Sequence, residues 1–405
     1  IKIISSDSAT DINIFINTEK ASQIIIGILL SIFVAFSIGA FIQWISRLIL
    51  SFNFEDKSLY LNSIIGSLSF SSIINFILIK GIKGSPYSSE TYDFLGGLTI
   101  NNFIDNNILQ FWMISLFIWY ILSIILIKIF RIDIYKIIIA LGTFSLALAF
   151  AGNDLVNFIG VPIAALESYN GWVASGVNAN EFSMSILADK VQPKPIYLFV
   201  SGLIMVVTIW YSSKAKNVVK TSLDLSNQNI VDEKFNSNII GVFLVNIGRG
   251  LNNIFIKLAP KSLLNQIEKS FNTNNVEVFS SSEDRPSFDK LRASLNLVIA
   301  AILISLATSY KLPLSTTYVT FMVAMGTSLS DRAWSKESAV YRVSGVVNVI
   351  GGWFLTAFSA FCVCGLIVFL IHIGKTVAII ALIIVSAAII YRNHVLFKKK
   401  GEIKI

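Results

Sequence analysis

Asn153, Asp154 and Asn157 stand in an otherwise small and apolar run that rises through Ser145-Leu-Ala-Leu-Ala-Phe-Ala-Gly152 and resumes at Phe158-Ile-Gly-Val-Pro162-Ile-Ala-Ala165. Two amides and a carboxylate supply donors, acceptors and one negative charge. They can ligate a small cation through oxygen or donate amide hydrogens to an oxyanion. A carboxylate in such a run costs roughly 2.5 kcal/mol or more on membrane-insertion scales, so it faces a protein-lined cavity and marks a substrate or ion site. Gly152, Gly160 and Pro162 predict an interrupted helix, tolerable in lipid where the freed backbone lines a site.

A second polar insertion is Pro313-Leu-Ser-Thr-Thr-Tyr-Val-Thr320. Proline cannot continue a preceding helix and presets the backbone for a new one. Ser315, Thr316 and Thr317 then fall in a first turn, where free N–H groups and the helix dipole attract an anion. Their hydroxyls can donate to an oxyanion, turn their oxygens to sodium, or simply cap the helix.

The elements that must position these groups follow from composition. Of 405 residues, 54% are hydrophobic and 14% charged, with a mean hydropathy of +0.72. That balance describes an all-α, multi-pass membrane protein. The net charge of +8 sits between apolar runs, as the positive-inside rule produces, and does not call for nucleic acid. Cys362 and Cys364 read as small hydrophobes buried in an apolar helix, and His372 and His394 are too few for histidine-based catalysis. With no partner for Asp154, an enzyme is not expected.

Spans are expected at 21–52, 59–79, 111–129, 134–166, 196–211, 293–308, 312–329, 338–371 with a break at Gly351-Gly352, and 376–390. Within the basic region 212–292, Ile239 to Leu264 alternates apolar clusters with Asn246, Arg249, Asn252 and Lys257, which favours an interfacial amphipathic helix over a span. Placing that region and the Lys398-Lys399-Lys400 tail in the cytoplasm makes 21–52 run outside to inside, 134–166 inside to outside, and 312–329 end inside near Asp331. Lys80 and Lys83 dissent by falling outside. Arg47, with Gln43 one turn earlier, is expected to snorkel to the headgroups rather than line a cavity. Asn296 caps its span or faces the site. Asp331-Arg332 and Lys336-Glu337 read as a solvated cytoplasmic turn, with a gating role as the alternative, and Glu167 and Asp189 as solvated loop residues.

Val34-Ala-Phe-Ser-Ile-Gly-Ala-Phe41 lines up with Val346-Val-Asn-Val-Ile-Gly-Gly-Trp353 in helices of opposite expected direction, the arrangement of an inverted repeat. With that repeat and the two polar insertions in this order, the chain resembles the inorganic phosphate transporters of the PiT class. Their Gly-x-Asn-Asp-x-x-Asn pattern is similar to Ala151-Gly152-Asn153-Asp154-Leu155-Val156-Asn157, with the glycine one residue displaced. Their Pro-x-Ser-Thr-Thr-His is similar to Pro313 through Tyr318, with tyrosine in place of histidine.

The resemblance implies an inverted-repeat secondary transporter with broken helices, in the cell inner (plasma) membrane, coupling phosphate uptake to sodium or proton entry. It implies substrate contacts at Asn153, Asn157, Ser315, Thr316 and Thr317, and sodium ligands at Asp154, Asn153 and Thr317. No further cofactor is expected. Partners would be inorganic phosphate, the bilayer and, in a homodimer, a second copy. The same resemblance divides the chain into the remainder of a first repeat (1–133), the first part of a second (134–211), a basic cytoplasmic loop (212–292), the rest of the second repeat (293–391) and a basic tail (392–405). The first-half counterpart of Ser315 to Thr317 would precede Ile1, so an N-terminally truncated chain is expected. Transport of another oxyanion such as sulfate is the nearest alternative, and a channel a more distant one.

Overall fold

Long apolar runs with scarce breakers leave the backbone one way to satisfy its own polar groups in lipid, the α-helix. The computed structural model describes residues 18–55, 57–81, 88, 90–178, 181–183, 193–212, 220, 236–272, 289–309, 312, 314–332 and 338–402. Its helices are α1 (Thr18–Leu50), α2 (Leu59–Gly81), α3 (Ile100–Asn106), α4 (Ile108–Lys128), α5 (Ile134–Ser175), α6 (Pro195–Tyr211), α7 (Ile239–Leu258), α8 (Lys261–Ser270), α9 (Lys290–Ser309), α10 (Thr316–Ser330) and α11 (Ser338–Glu402). A two-residue hairpin, Thr91–Tyr92 paired antiparallel with Leu98–Thr99, precedes α3. Seven of the described helices are long and apolar enough to cross a membrane, and α6 is a shorter apolar helix. The protein is an all-α membrane protein.

The chain divides into two compact units, Gln23–Glu233 with Ile247–Ala339, and Ile1–Ser22 with Lys234–Asn246 and Val340–Ile405. In the larger unit, side-chain registers give the helix directions. Tyr135 donates to Asn62 at 3.0 Å, and Ile73 lies beside Gly142, so α2 and α5 run parallel. Ser115 donates to Ser71 at 3.2 Å while Ser123 lies beside Gly66, so α4 runs against α2. Leu297 packs on Gly142 and Ser294 donates to the Tyr135 carbonyl at 3.4 Å, so α9 follows α5. These relative directions agree with those expected from loop charge.

A close backbone-to-backbone seam joins α1 to α10. On α1, Ala35, Gly39, Gln43 and Arg47 are all buried, and their spacing of four puts them on one face. On α10, Val323 and Gly326 meet that face: a Cβ added to Gly39 would stand 2.9 Å from the Val323 carbonyl oxygen, and one on Gly326 would overlap the Phe36 carbonyl. Small residues let two backbones approach where lipid offers no hydrophobic drive between helices. Gly39 opposite Val323 and Arg47 opposite Asp331 make the two helices parallel.

Three expectations are corrected. The break expected between Gly152 and Pro162 is absent: α5 is one helix of 42 residues with Pro162 inside it, because neighbouring helices can compensate a proline's missing N–H in lipid. The break expected at Gly351-Gly352 is absent; α11 is divided only at Lys375 (φ 45, ψ −131), between the spans expected at 338–371 and 376–390. Two glycines cost about 1 kcal/mol each in a helix, which is not enough to end one. Cys362 and Cys364 are exposed on α11 rather than buried. For Ile239 to Leu264, α7 ends at Leu258 and α8 starts at Lys261. Asn246, Arg249, Asn253 and Lys257 share one face of α7, which also has the length and apolarity of a span.

Substituting Gly326→Ala should destabilise the protein by roughly 1–3 kcal/mol, the usual range for overpacking, because Phe36 backbone atoms occupy the space. Gly351→Ala, which meets nothing within 4 Å, should leave thermal unfolding in detergent unchanged or slightly raised. Equal melting temperatures for Gly326→Ala and the parent would contradict the seam.

Candidate functional site

Ser315 begins α10 as expected, and the capping alternative accounts for one of its lone pairs: with extended φ −103 and ψ 121, its hydroxyl oxygen accepts from the Tyr318 N–H. Its own proton stays available for a ligand. Thr316 is buried at 2% exposure, while Thr317 is exposed. Thr320 donates back to the Thr316 and Thr317 carbonyls at 3.1 and 3.0 Å. Pro313 and the side chains of Asn153, Asp154 and Asn157 lie outside the described residues, and so do the sodium ligands expected at Asp154 and Asn153.

Backbone placement still relates the two motifs. At about 1.5 Å of rise per residue, Asn153 lies ~28 Å along α5 from Ile134, and Ser315 lies ~24 Å along α10 from Asp331. Ile134 and Asp331 belong to the same charged end of the larger unit, as the contacts of α9 show: Arg292 reaches Asp331 and Ser294 reaches Tyr135. Both motifs therefore sit at similar height, on helices that each pack against α9.

Beside the Ser315 turn is a hollow of about 160 Å³, lined by Gly27, Leu30, Val34, Leu303, Leu314 and Val319 among others. Ser31 also lines it, but its hydroxyl donates to the Ile28 carbonyl at 2.7 Å. An oxyanion gains nothing from such walls. The turn can serve an anion only on the side facing away from this hollow.

The densest polar arrangement among the described residues is elsewhere, and it corrects two expectations. Arg47 does not snorkel, and Asp331 is not in a solvated turn: both side chains have 0% exposure and lie 2.6 Å apart, Nη2 to Oδ2. The contact is two-pronged, with Arg47 Nε donating to Asp331 Oδ1 at 2.8 Å. Gln43 Nε2 donates to the same Oδ1 at 2.9 Å. Arg47 Nη2 also reaches Asp289 Oδ2 at 2.6 Å, and its Nη1 donates to the Ser51 carbonyl at 3.0 Å. The guanidinium stacks over the Phe52 ring at 3.9 Å.

Asp289 has a second task, capping α9 by accepting from the Arg292 N–H at 2.8 Å. Arg292, also fully buried, brings its Nη1 to 3.8 Å from Asp331. One turn higher, Thr327 donates to Asn296 at 2.6 Å. Among the described residues, Arg47 and Arg292 balance Asp289 and Asp331, and such balance is the condition for holding charges out of water. Sequence offered one signal for it: Gln43 and Arg47 lie four apart, on the stripe that also carries Ala35 and Gly39.

At the same end, Lys290 bridges Glu55 at 2.7 Å and Asp133 at 2.6 Å. These side chains are partly open to solvent, and solvent-accessible pairs of this kind contribute about 0–1 kcal/mol.

Comparison with protein-family models, curated proteins and solved structures finds no match to this chain.

Arg47→Ala should strand the buried Asp331 carboxylate and lower stability by about 3–5 kcal/mol. The paired apolar replacement Arg47→Met with Asp331→Leu should lose much less. Thermal unfolding of both in detergent checks this, and equal losses would show that the two side chains do not act as a pair.

Proposed function

We propose that this chain is a secondary transporter of inorganic phosphate in the cell inner (plasma) membrane, driven by sodium or proton entry. One observation carries the reading: an Asn-Asp-x-x-Asn group and a Ser-Thr-Thr group, in that order, at similar height on two helices that share α9 as a neighbour. The resemblance to the PiT class rests on the same residues. The match of 34–41 with 346–353 supports an inverted repeat, whose halves would rock against each other to give alternating access.

In this reading Asp154 stays ionised as a ligand of the driving cation. Carboxylate and phosphate repel unless a cation lies between them. Asn153 and Asn157 donate amide hydrogens to phosphate or offer carbonyl oxygens to sodium, and Thr317 adds a hydroxyl oxygen. Ser315, whose lone pair is engaged by the Tyr318 N–H, contributes its proton to a phosphate oxygen. The first-turn N–H groups of α10 add the positive end of the helix dipole. Tyr318, where the family has histidine, cannot gain a proton near neutral pH as an imidazole does, so coupling through that position would differ.

Asp154→Asn should abolish cation-driven accumulation of labelled phosphate in proteoliposomes at unchanged expression, and parental uptake would remove Asp154 from the mechanism. In the parent, excess phosphate or arsenate should suppress labelled uptake and sulfate should not. Suppression by sulfate alone would move the assignment to another oxyanion, and equilibration without accumulation would indicate a channel.

A further inference from the structure

Buried ion pairs are weak devices for stability, since well-packed apolar residues of similar volume do as well or better, and their best-attested use is to fix a register or operate a switch. The Arg47 cluster closes one end of the α1–α10 seam. Above it, α1 and α10 touch through Gly39 and Gly326, backbone against backbone. Higher still lies the apolar hollow beside Val34, Ala35 and Val319.

The helix α8 clasps both halves of the cluster from outside. Ser270 donates to the carbonyl of Leu48 at 3.0 Å, next to Arg47, and Arg332, next to Asp331, lies over the Phe271 ring at 4.9 Å. Ile267 and Phe271 are buried, while Lys261, Gln266 and Lys269 on the other face are exposed. A segment of the basic central region is thereby tied to the residue following each member of the ion pair.

We propose that Arg47, Asp331 and Asp289 form a releasable latch that holds the charged ends of α1, α9 and α10 together, with α8 as its strap, and that opening of this end proceeds by parting the α1–α10 seam. Release exchanges the Arg47–Asp331 contact for water on both partners, so the opened state is accessible where the same groups inside lipid would not be. The latch stands on these contacts alone and does not depend on phosphate as the substrate.

The experiment reads access to the seam. In a full-length background with Cys362→Ser and Cys364→Ser, one reporter is Val323→Cys, at a fully buried seam position, and the control is Ile138→Cys, equally buried in α5. Each is reconstituted in lipid nanodiscs and labelled with a membrane-impermeant maleimide. Asp331→Asn should speed labelling at 323 by about tenfold or more, the equivalent of 1.4 kcal/mol, and leave 138 unchanged. Arg47→Lys, which keeps the charge but loses the two-pronged contact, should give a smaller rise and serves alone if Asp331→Asn does not fold. Phe271→Ala should also raise labelling at 323, and no change there would remove α8 from the proposal. Unchanged rates at 323 in the latch variants, or equal rises at 323 and 138, would overturn it.

Discussion

A guanidinium and a carboxylate withdrawn from water must find each other at contact distance, and that requirement governs the larger unit. Arg47 meets Asp331 at 2.6 Å with neither side chain exposed. Desolvating each ion costs several kcal/mol, recovered only if three helices end at one level. Helix α1 must deliver residue 47, α10 must stop at 331, and α9 must start at 289. Register along the α1–α10 seam follows, because a shift of one turn would separate the charges and bring Gly326 out of line with Phe36. The glycines set how closely the helices approach, and the ions set how far one is slid along the other.

The same rule, applied to uncharged groups, explains why the serine face of α2 turns into the protein. On α2, Ser63, Ser67 and Ser71 are buried at i, i+4 and i+8. Ser63 donates to the Leu59 carbonyl at 2.8 Å, Ser67 crosses to the Leu116 carbonyl at 2.6 Å, and Ser71 receives from Ser115. Apolar bulk goes outward instead, as on α4, where Phe117 is 66% exposed. Lipid is as good a solvent for such a ring as a protein core, so the usual inside-out pattern of a soluble protein does not apply.

How legible these features are in sequence depends on how local their causes are. Hydropathy places the long spans because each depends only on its own composition. The start of α10 is readable because Ser315 caps through a neighbour three residues away. The fate of Arg47 is not readable: an arginine near a helix end looks the same whether it reaches headgroups or a buried aspartate, and its partner is 284 residues further along the chain. Helix α5 misleads in the opposite direction. Gly152, Gly160 and Pro162 each weaken a helix locally, but their penalties compete with a backbone that has no water to turn to. At 15 residues, α10 is ~22 Å long, short of a ~30 Å hydrocarbon layer, and is recognisable as an internal helix only from its buried residues.

The height of the Ser315 turn sets it far from the charged end of the larger unit. From that turn to Asp331 lies ~24 Å of helix, lined first by an apolar hollow, then by glycine-backed seam, then by a sealed ionic cluster. Anything held at the level of Ser315 is thus insulated from the charged end by most of a bilayer's thickness.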